Sequence, residues 1–403
     1  MTGPTNGTER AIGGQTHITL LDGGDTAFEA ILESIDAATE SIYIRSFTWR
    51  DDPTGNEVGE AVLRAAERGV KVLIKKDRVA AAYEYSGGNG QSFFHKRLDP
   101  GLRFQSWFLG RIYSKAVRQP LVANPTADAI LDHPNIIVEH AKKRFDHSKL
   151  FIFDERRIIL GSMGIGDDHR HHNVEMAVML DGADDVARLR QAISGEVAFN
   201  ANRAVDFLVH SRDVHPIRVC PMLLHRLELI NSAQKSLMIL MAYLGDRRYT
   251  QALIRAVRRG VAVTLVTAAQ AEVLGDLGRA TCNRILRATR APNNLTIIHM
   301  PRMVHAKVVV ADHRYVDVGS ANFTPLSHGV YDEINVHIDH ARFAHELESS
   351  IRDHCADGEE VGPRVRYRRI HFQVERAIVA YQGRKGGRLL RTKRRLARAK
   401  YSQ

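Results

Sequence analysis

The chain has 403 residues, of which 44 % are hydrophobic; this suits a folded protein and exceeds the usual size of a single core. The formal net charge is +11, but residues 361–403 hold fourteen lysines and arginines against one acid, Glu375, so residues 1–360 are close to neutral. No apolar run reaches the roughly 18 residues of a spanning helix, and the opening MTGPTNGTERAIGGQTH has no apolar centre, which argues against a secretory leader.

In chain order, AFEAILESIDAATESIYIRSFTW places Ala27, Ile31, Leu32 and Ile35 at helical spacing, then predicts a strand through Ile42, Ile44 and Phe47. NEVGEAVLRAAERGVKVLIKKD predicts a helix ending near Arg68 and a short buried strand from Val70 to Ile74, with Gly69 placed to end the helix in a left-handed turn. A stretch at about 80–135 is rich in aromatics: Tyr83, Tyr85, Phe93, Phe94, Phe104, Trp107, Phe108 and Tyr113. It supplies either ordinary core or an apolar wall beside a site. Residues 196–220 read as a link. LLHRLELINSAQKSLMILMAYL and YTQALIRAVRRGVAVTLVTAA then repeat the helix–strand plan, with Arg259-Gly260-Val261 matching Arg68-Gly69-Val70. The alternation predicts an α/β architecture. Strands such as Leu150–Phe153 and Val308–Val310 are apolar on both faces, which predicts sheets covered by helices on each side. The tail begins as an apolar–basic mixture and ends in a possible basic helix, with Gly386-Gly387 between the parts. Three cysteines, Cys220, Cys282 and Cys355, are scattered and odd in number, so they form neither a disulfide framework nor a zinc pattern and fit a reducing compartment.

One pattern occurs twice. Residues 147–162 read HSKLFIFDERRIILGS and residues 305–320 read HAKVVVADHRYVDVGS, both fitting H-x-K-x4-D-x6-G-S. His147 and His305, Lys149 and Lys307, Asp154 and Asp312, and Ser162 and Ser320 all pair at one offset of 158. Glu175 and Glu333 keep the same register downstream. Such self-similarity marks an internal duplication. It resembles the phospholipase D superfamily, with two H-x-K-x4-D motifs per active unit, and the resemblance runs from about Asp25 to about Asp353. The resemblance implies two fused repeats, at 1–195 and 221–360, each a central mixed β-sheet flanked by helices. A pseudo-twofold axis would relate them around one shared active site, leaving 361–403 as a basic tail.

In a strand, residues i and i+2 share a face, so each motif presents an imidazole beside an ammonium. Two copies brought together suit a phosphodiester: the lysines neutralise nonbridging oxygens, one histidine attacks phosphorus and the other protonates the leaving alkoxide. The resemblance assigns His147 as nucleophile, His305 as general acid, and Glu175 and Glu333 as acids that orient the histidines. Asp154 and Asp312 are expected to hold structure near the site. Lys149, Lys307, Asn322, Ser162 and Ser320 are expected to bind phosphate or, for the serines, a neighbouring histidine. Gly164 stands where the family pattern has Asn, so the site should be asymmetric. No metal or other cofactor is required by this chemistry. His169, His171 and His172, in DDHRHHN, are expected to be solvated rather than metal ligands.

Within the superfamily, the segments from Gly161 to Asp168, Gly319 to Ser327 and Ser46 to Asp52 look like those of bacterial cardiolipin synthase-like proteins. That resemblance implies a phosphatidyltransferase or phospholipase D working on phospholipids through a phosphohistidine. It also implies a cytoplasmic protein bound peripherally, through the basic tail, to the anionic inner face of the cell membrane. The alternative is a metal-independent nuclease whose tail grips backbone phosphates.

Overall fold

The structure is a computed structural model describing residues 11–12, 16–85, 91–113, 122–141, 145–211, 214 and 220–384. The Gly386-Gly387 step and the basic end of the tail lie outside the described residues.

The first half runs β1 (Ala11–Ile12), β2 (Thr16–Asp22), α1 (Gly24–Ala37), β3 (Ser41–Ser46), α2 (Pro53–Glu67), β4 (Lys71–Asp77) and α3 (Ala81–Glu84). It continues through α4 (Pro100–Tyr113), α5 (Pro125–Asp132), β5 (Ile136–Ala141), β6 (Leu150–Phe153), β7 (Arg157–Gly161), β8 (Met176–Asp181) and α6 (Ala183–Ser194). The second half runs β9 (Val205–His210), α7 (Pro221–Ser232), β10 (Ser236–Met241), α8 (Arg247–Arg258), β11 (Ala262–Ala268) and α9 (Gly275–Thr289). It ends with β12 (Leu295–Met300), β13 (Lys307–Ala311), β14 (Tyr315–Gly319), α10 (Pro325–Gly329), β15 (Glu333–Asp339), α11 (Ala341–His354) and β16 (Glu359–Glu360). Residues 369–384 are also helical.

The strands form two sheets, in the orders β1-β2-β8-β7-β6-β3-β4-β5 and β16-β12-β11-β10-β13-β14-β15-β9. Without the short β1 and β16 the two orders are the same, β2 matching β9 and so on through β5 matching β12. Each sheet is mixed: β3, β4 and β5 run parallel, whereas β3–β6, β6–β7, β7–β8 and β8–β2 are antiparallel. The link read at 196–220 therefore contains a sheet strand. β9 pairs with β15, Glu333 opposite His210, and opens the second repeat as β2 opens the first.

Local chemistry sets the helix ends alike in both halves. Asp52 caps α2 by accepting from the Gly55 N–H, with Pro53 at the first turn, and Asp246 caps α8 by accepting from the Arg248 N–H. Gly69 and Gly260 follow these helices with φ of 99° and 94°, a left-handed conformation that glycine adopts without steric cost.

Alternation along the strands explains why both faces are apolar. Leu150, Ile152, Leu160 and Val178 of the first sheet share one buried cluster with Val308, Val310, Ile334 and Val336 of the second. Their neighbours Phe151, Phe153 and Ile159 pack under α1 and α2, and Val309 and Ala311 pack under α7 and α8. Helices thus flank the outer faces, but the inner face of each sheet is covered chiefly by the other sheet, with α6 and α11 at its margins. At the centre, short parallel bridges join Asp146 to Asp332 and Val174 to Val304, again related by 158.

Candidate active site

Those two bridges aim the motif histidines. The His147 N–H donates to the Asp332 carbonyl at 2.8 Å, and the His305 N–H to the Val174 carbonyl at 2.9 Å. Each histidine therefore sits beside the acid of the opposite repeat. His147 Nδ1 bonds Glu333 at 3.0 Å, and His305 Nδ1 bonds Glu175 at 2.8 Å. A carboxylate only accepts, so Nδ1 carries the proton and Nε2 is the nitrogen left free in both rings. The two histidines and Lys149 line one cleft of about 330 Å³ between the halves. Lys307 lies beneath it, fully buried. Each lysine donates to the carbonyl of its own motif histidine, Lys149 at 2.5 Å.

Burial sets the electrostatics. It lowers Lys149 to about 8 and Lys307 to about 7, against the pull of the two glutamates. It also holds His147 well below its ordinary value, helped by the lysines, and His305 likewise, though Glu175 opposes that shift. The two acids diverge. Burial pushes Glu333 up to about 7 despite Lys149. For Glu175, burial is outweighed by His305 and by a hydrogen bond from His169, and its carboxyl stays well below the ordinary range.

Several expected residues have other places. Ser162 and Ser320 are fully buried and donate to Glu175 and Glu333, the second at 2.6 Å, so they hold the acids rather than phosphate or histidine. Asp154 and Asp312 lie at the far ends of β6 and β13, roughly 20 Å along the strand from the histidines at about 3.3 Å per residue. There they brace the fold away from the site. Asp154, at φ 48°, accepts from the N–H groups of Thr39, Glu40 and Ser41 at 2.8–2.9 Å. Asp312 does the same for Gln234, Lys235 and Ser236. Asn322 does line the cleft; its Oδ1 accepts from the Tyr243 N–H at 3.3 Å.

The loop histidines divide. His171 and His172 are exposed, as expected, but His169 is buried and its Nδ1 bonds Glu175 at 2.6 Å. The wide helical turn Asp168–His172 packs against the start of α1 and turns this one ring inward. The offset offered a signal: position 169 corresponds to Ser327, in α10, whose hydroxyl accepts from the Asn322 N–H. Donor atoms of His169, Glu175 and His305 lie within 4.8 Å of one another, a grouping able to hold a cation. Both Glu175 oxygens are already engaged by the two rings and Ser162.

The aromatic stretch takes both roles foreseen for it. Phe93 and Phe94 pack on Trp49 in the core, whereas Tyr83, Leu109 and Tyr113 wall the cleft. Phe47 and Tyr331 flank the His147 ring at centroid distances of 5.0 and 5.3 Å. The start of the tail is part of the site. In the helical stretch 369–384, Ile378 and Gln382 line the cleft. Glu375 accepts from the Leu277 N–H at 2.6 Å, and Gln382 bonds the Tyr83 hydroxyl at 3.3 Å.

The profile of the family described as cardiolipin synthase, PLD-like domain, matches residues 31–196 and 227–355, well over half of the chain. The chain belongs to this family. It is 23 % identical to cardiolipin synthase B of Shigella flexneri, covering 90 % of this chain and 86 % of that protein. It is 24 % identical to cardiolipin synthase A of Pseudomonas entomophila, covering 85 % and 69 %. In three dimensions it is similar to phosphatidylserine synthase of Haemophilus influenzae, with a TM-score of 0.65, 13 % identity, and coverage of 92 % and 94 %. The two matched segments of the family coincide with the two halves that enclose the cleft.

Proposed function

We propose that this protein is a phosphatidyltransferase or phospholipase D that acts on phospholipids through a covalent phosphohistidine, in the manner of a cardiolipin synthase. The observation that carries the reading is the crossed pairing of His147 with Glu333 and His305 with Glu175 around one cleft. His147 Nε2 attacks phosphorus and forms a P–N bond while the P–O bond to the leaving group breaks. The departing alkoxide takes the proton from His305 Nε2. In the second step His305 removes a proton from the acceptor hydroxyl, whose oxygen attacks phosphorus and displaces His147. Water and an alcohol serve equally as acceptor without any change in the protein's part. The two rings need opposite protonation states, and the acids support that order. An ionised Glu175 favours a proton on His305, whereas Glu333, raised to about 7, gives His147 less help in holding one. Lys149 and Lys307 neutralise charge on the phosphoryl oxygens.

The surroundings favour a lipid. One side of α4 walls the cleft with Leu109 and Tyr113, and the same helix exposes Phe104 and Trp107 to solvent. Exposed aromatics beside a cleft with an apolar wall suit the interfacial region of a bilayer. The basic tail would add attraction to an anionic surface, here the inner face of the cell membrane, with peripheral association. No described helix is long and apolar enough to cross a membrane.

The test uses purified protein in chelator with phosphatidylglycerol vesicles or plasmid DNA. Headgroup exchange or release from lipid with intact plasmid is expected. Nicked plasmid with inert lipid would overturn the lipid reading in favour of a nuclease.

A further inference from the structure

We propose that His169 is the phosphate-directed donor of the first half of the site, replacing the side-chain amide that this half lacks. The inference rests on the phosphodiester reading above and names a residue that the duplicated motif does not contain.

The offset of 158 maps Gly164 onto Asn322 and His169 onto Ser327. In the second half these are two short residues with separate tasks. Asn322 offers its NH2 to the cleft, its Oδ1 being engaged by Tyr243. Ser327 supports it from behind, accepting from the Asn322 N–H at 3.0 Å and bonding Glu333. In the first half one longer side chain spans both positions. His169 Nδ1 takes the place of Ser327 on the acid, at 2.6 Å from Glu175. Its Nε2 reaches the place of the amide. A Cβ built on Gly164 would stand 2.8 Å from His169 Nε2 and 1.8 Å from Thr48 Oγ1. The Thr48 hydroxyl and the His169 imidazole together occupy the volume that a side chain at residue 164 would enter.

The ring is positioned for phosphate rather than for packing alone. His169 lines the same cleft as His147, His305 and Asn322, and its centroid is 4.9 Å from that of His305. Among the described residues its Nε2 has one neighbour in hydrogen-bond range, Thr48 Oγ1, at a long 3.4 Å. With Nδ1 bonded to Glu175, Nε2 is the end of the ring left for a ligand in the cleft, and a nitrogen that carries its proton there donates to an anionic oxygen. Binding would therefore bring His169 Nε2–H onto a nonbridging oxygen across from Asn322.

Two isosteric substitutions separate the ends of the ring. His169→Asn keeps a donor near Nδ1 and removes the Nε2 end; His169→Gln keeps a donor near Nε2 and loosens the bond to Glu175. The measurements are calorimetric affinity for inorganic phosphate and kcat and KM for a soluble phosphodiester. Asn is expected to weaken phosphate binding and raise KM by about tenfold or more, the size of one charge-assisted hydrogen bond. Gln should stay within about threefold of wild type in phosphate affinity, since it preserves that bond. Equal losses in the two variants, or unchanged affinity in the Asn variant, would overturn the proposal. If the wild-type protein itself neither binds phosphate nor cleaves a diester, the underlying phosphodiester reading fails instead.

Discussion

The two motif lysines, Lys149 lining the cleft and Lys307 buried beneath it, are held at values where small changes of pH alter their charge. In the free protein Lys307 loses its proton near 7 and Lys149 near 8. In the proposed chemistry both charges receive the phosphodiester, so kcat/KM should fall as pH rises through this range. On the acid side, Glu333 gains a proton as pH drops below about 7 and no longer orients His147 as a carboxylate. A narrow bell in kcat/KM between these limbs is the expected profile with a soluble diester. A plateau extending to about pH 9, well above both lysine values, would show that the lysines do not set the alkaline limb. The motif aspartates should behave differently. Asp154→Ala removes an acceptor shared by three backbone N–H groups. It should lower stability by about 1–3 kcal/mol in denaturant titration while leaving kcat/KM of the folded fraction within about twofold. A loss of turnover without a loss of stability would place Asp154 in the chemistry after all. The same spacing thus predicts chemistry at one end of a strand and bracing at the other. Sequence spacing reveals that both are fixed in register, but not which end meets substrate.

Among the elements, the repeated helix–strand units were legible because their apolar periodicity is strong and their ends carry caps, as at Asp52 and Gly69. β9 was not, since six residues between two polar stretches give little periodicity, and its place is fixed only by pairing with β15. The helix at the start of the tail was not legible for a related reason. Its arginines dominate the composition, but Phe372 and Val379 pack with Leu274, Leu277 and Leu326, contacts visible only once the second half is folded. His169 was hidden by its company, being set among charged loop residues. Two truncations separate the parts of the tail. Removing 385–403 should reduce binding to anionic vesicles in a salt-dependent way and leave soluble-diester turnover unchanged. Removing 369–403 takes away a wall of the cleft and the bond from Leu277 to Glu375, so turnover of the soluble diester should change and the melting temperature should fall. Identical turnover after both truncations would mean that the helix does not shape the site.

At the scale of the whole molecule, the duplication told more than any single motif, because one offset related every paired group from His147 and His305 to Glu175 and Glu333. What it left open was how the halves meet. The answer is a shared apolar interior in which residues of both sheets belong to one cluster. The two halves should accordingly unfold together, with a single calorimetric transition whose van't Hoff and calorimetric enthalpies agree. Two resolved transitions would show that the shared interior does not couple the halves. The crossed acid–histidine pairs carry a further consequence. Suppose two related genes recombined anywhere between the codons for Glu175 and His305. In the chimera, both acid–histidine pairs would have mixed parentage: Glu175 would come from one parent and His305 from the other, and likewise His147 and Glu333. Swapping one half between relatives therefore cannot carry an intact acid–base pair with it, and viable hybrids would be those whose parents already agree across that joint.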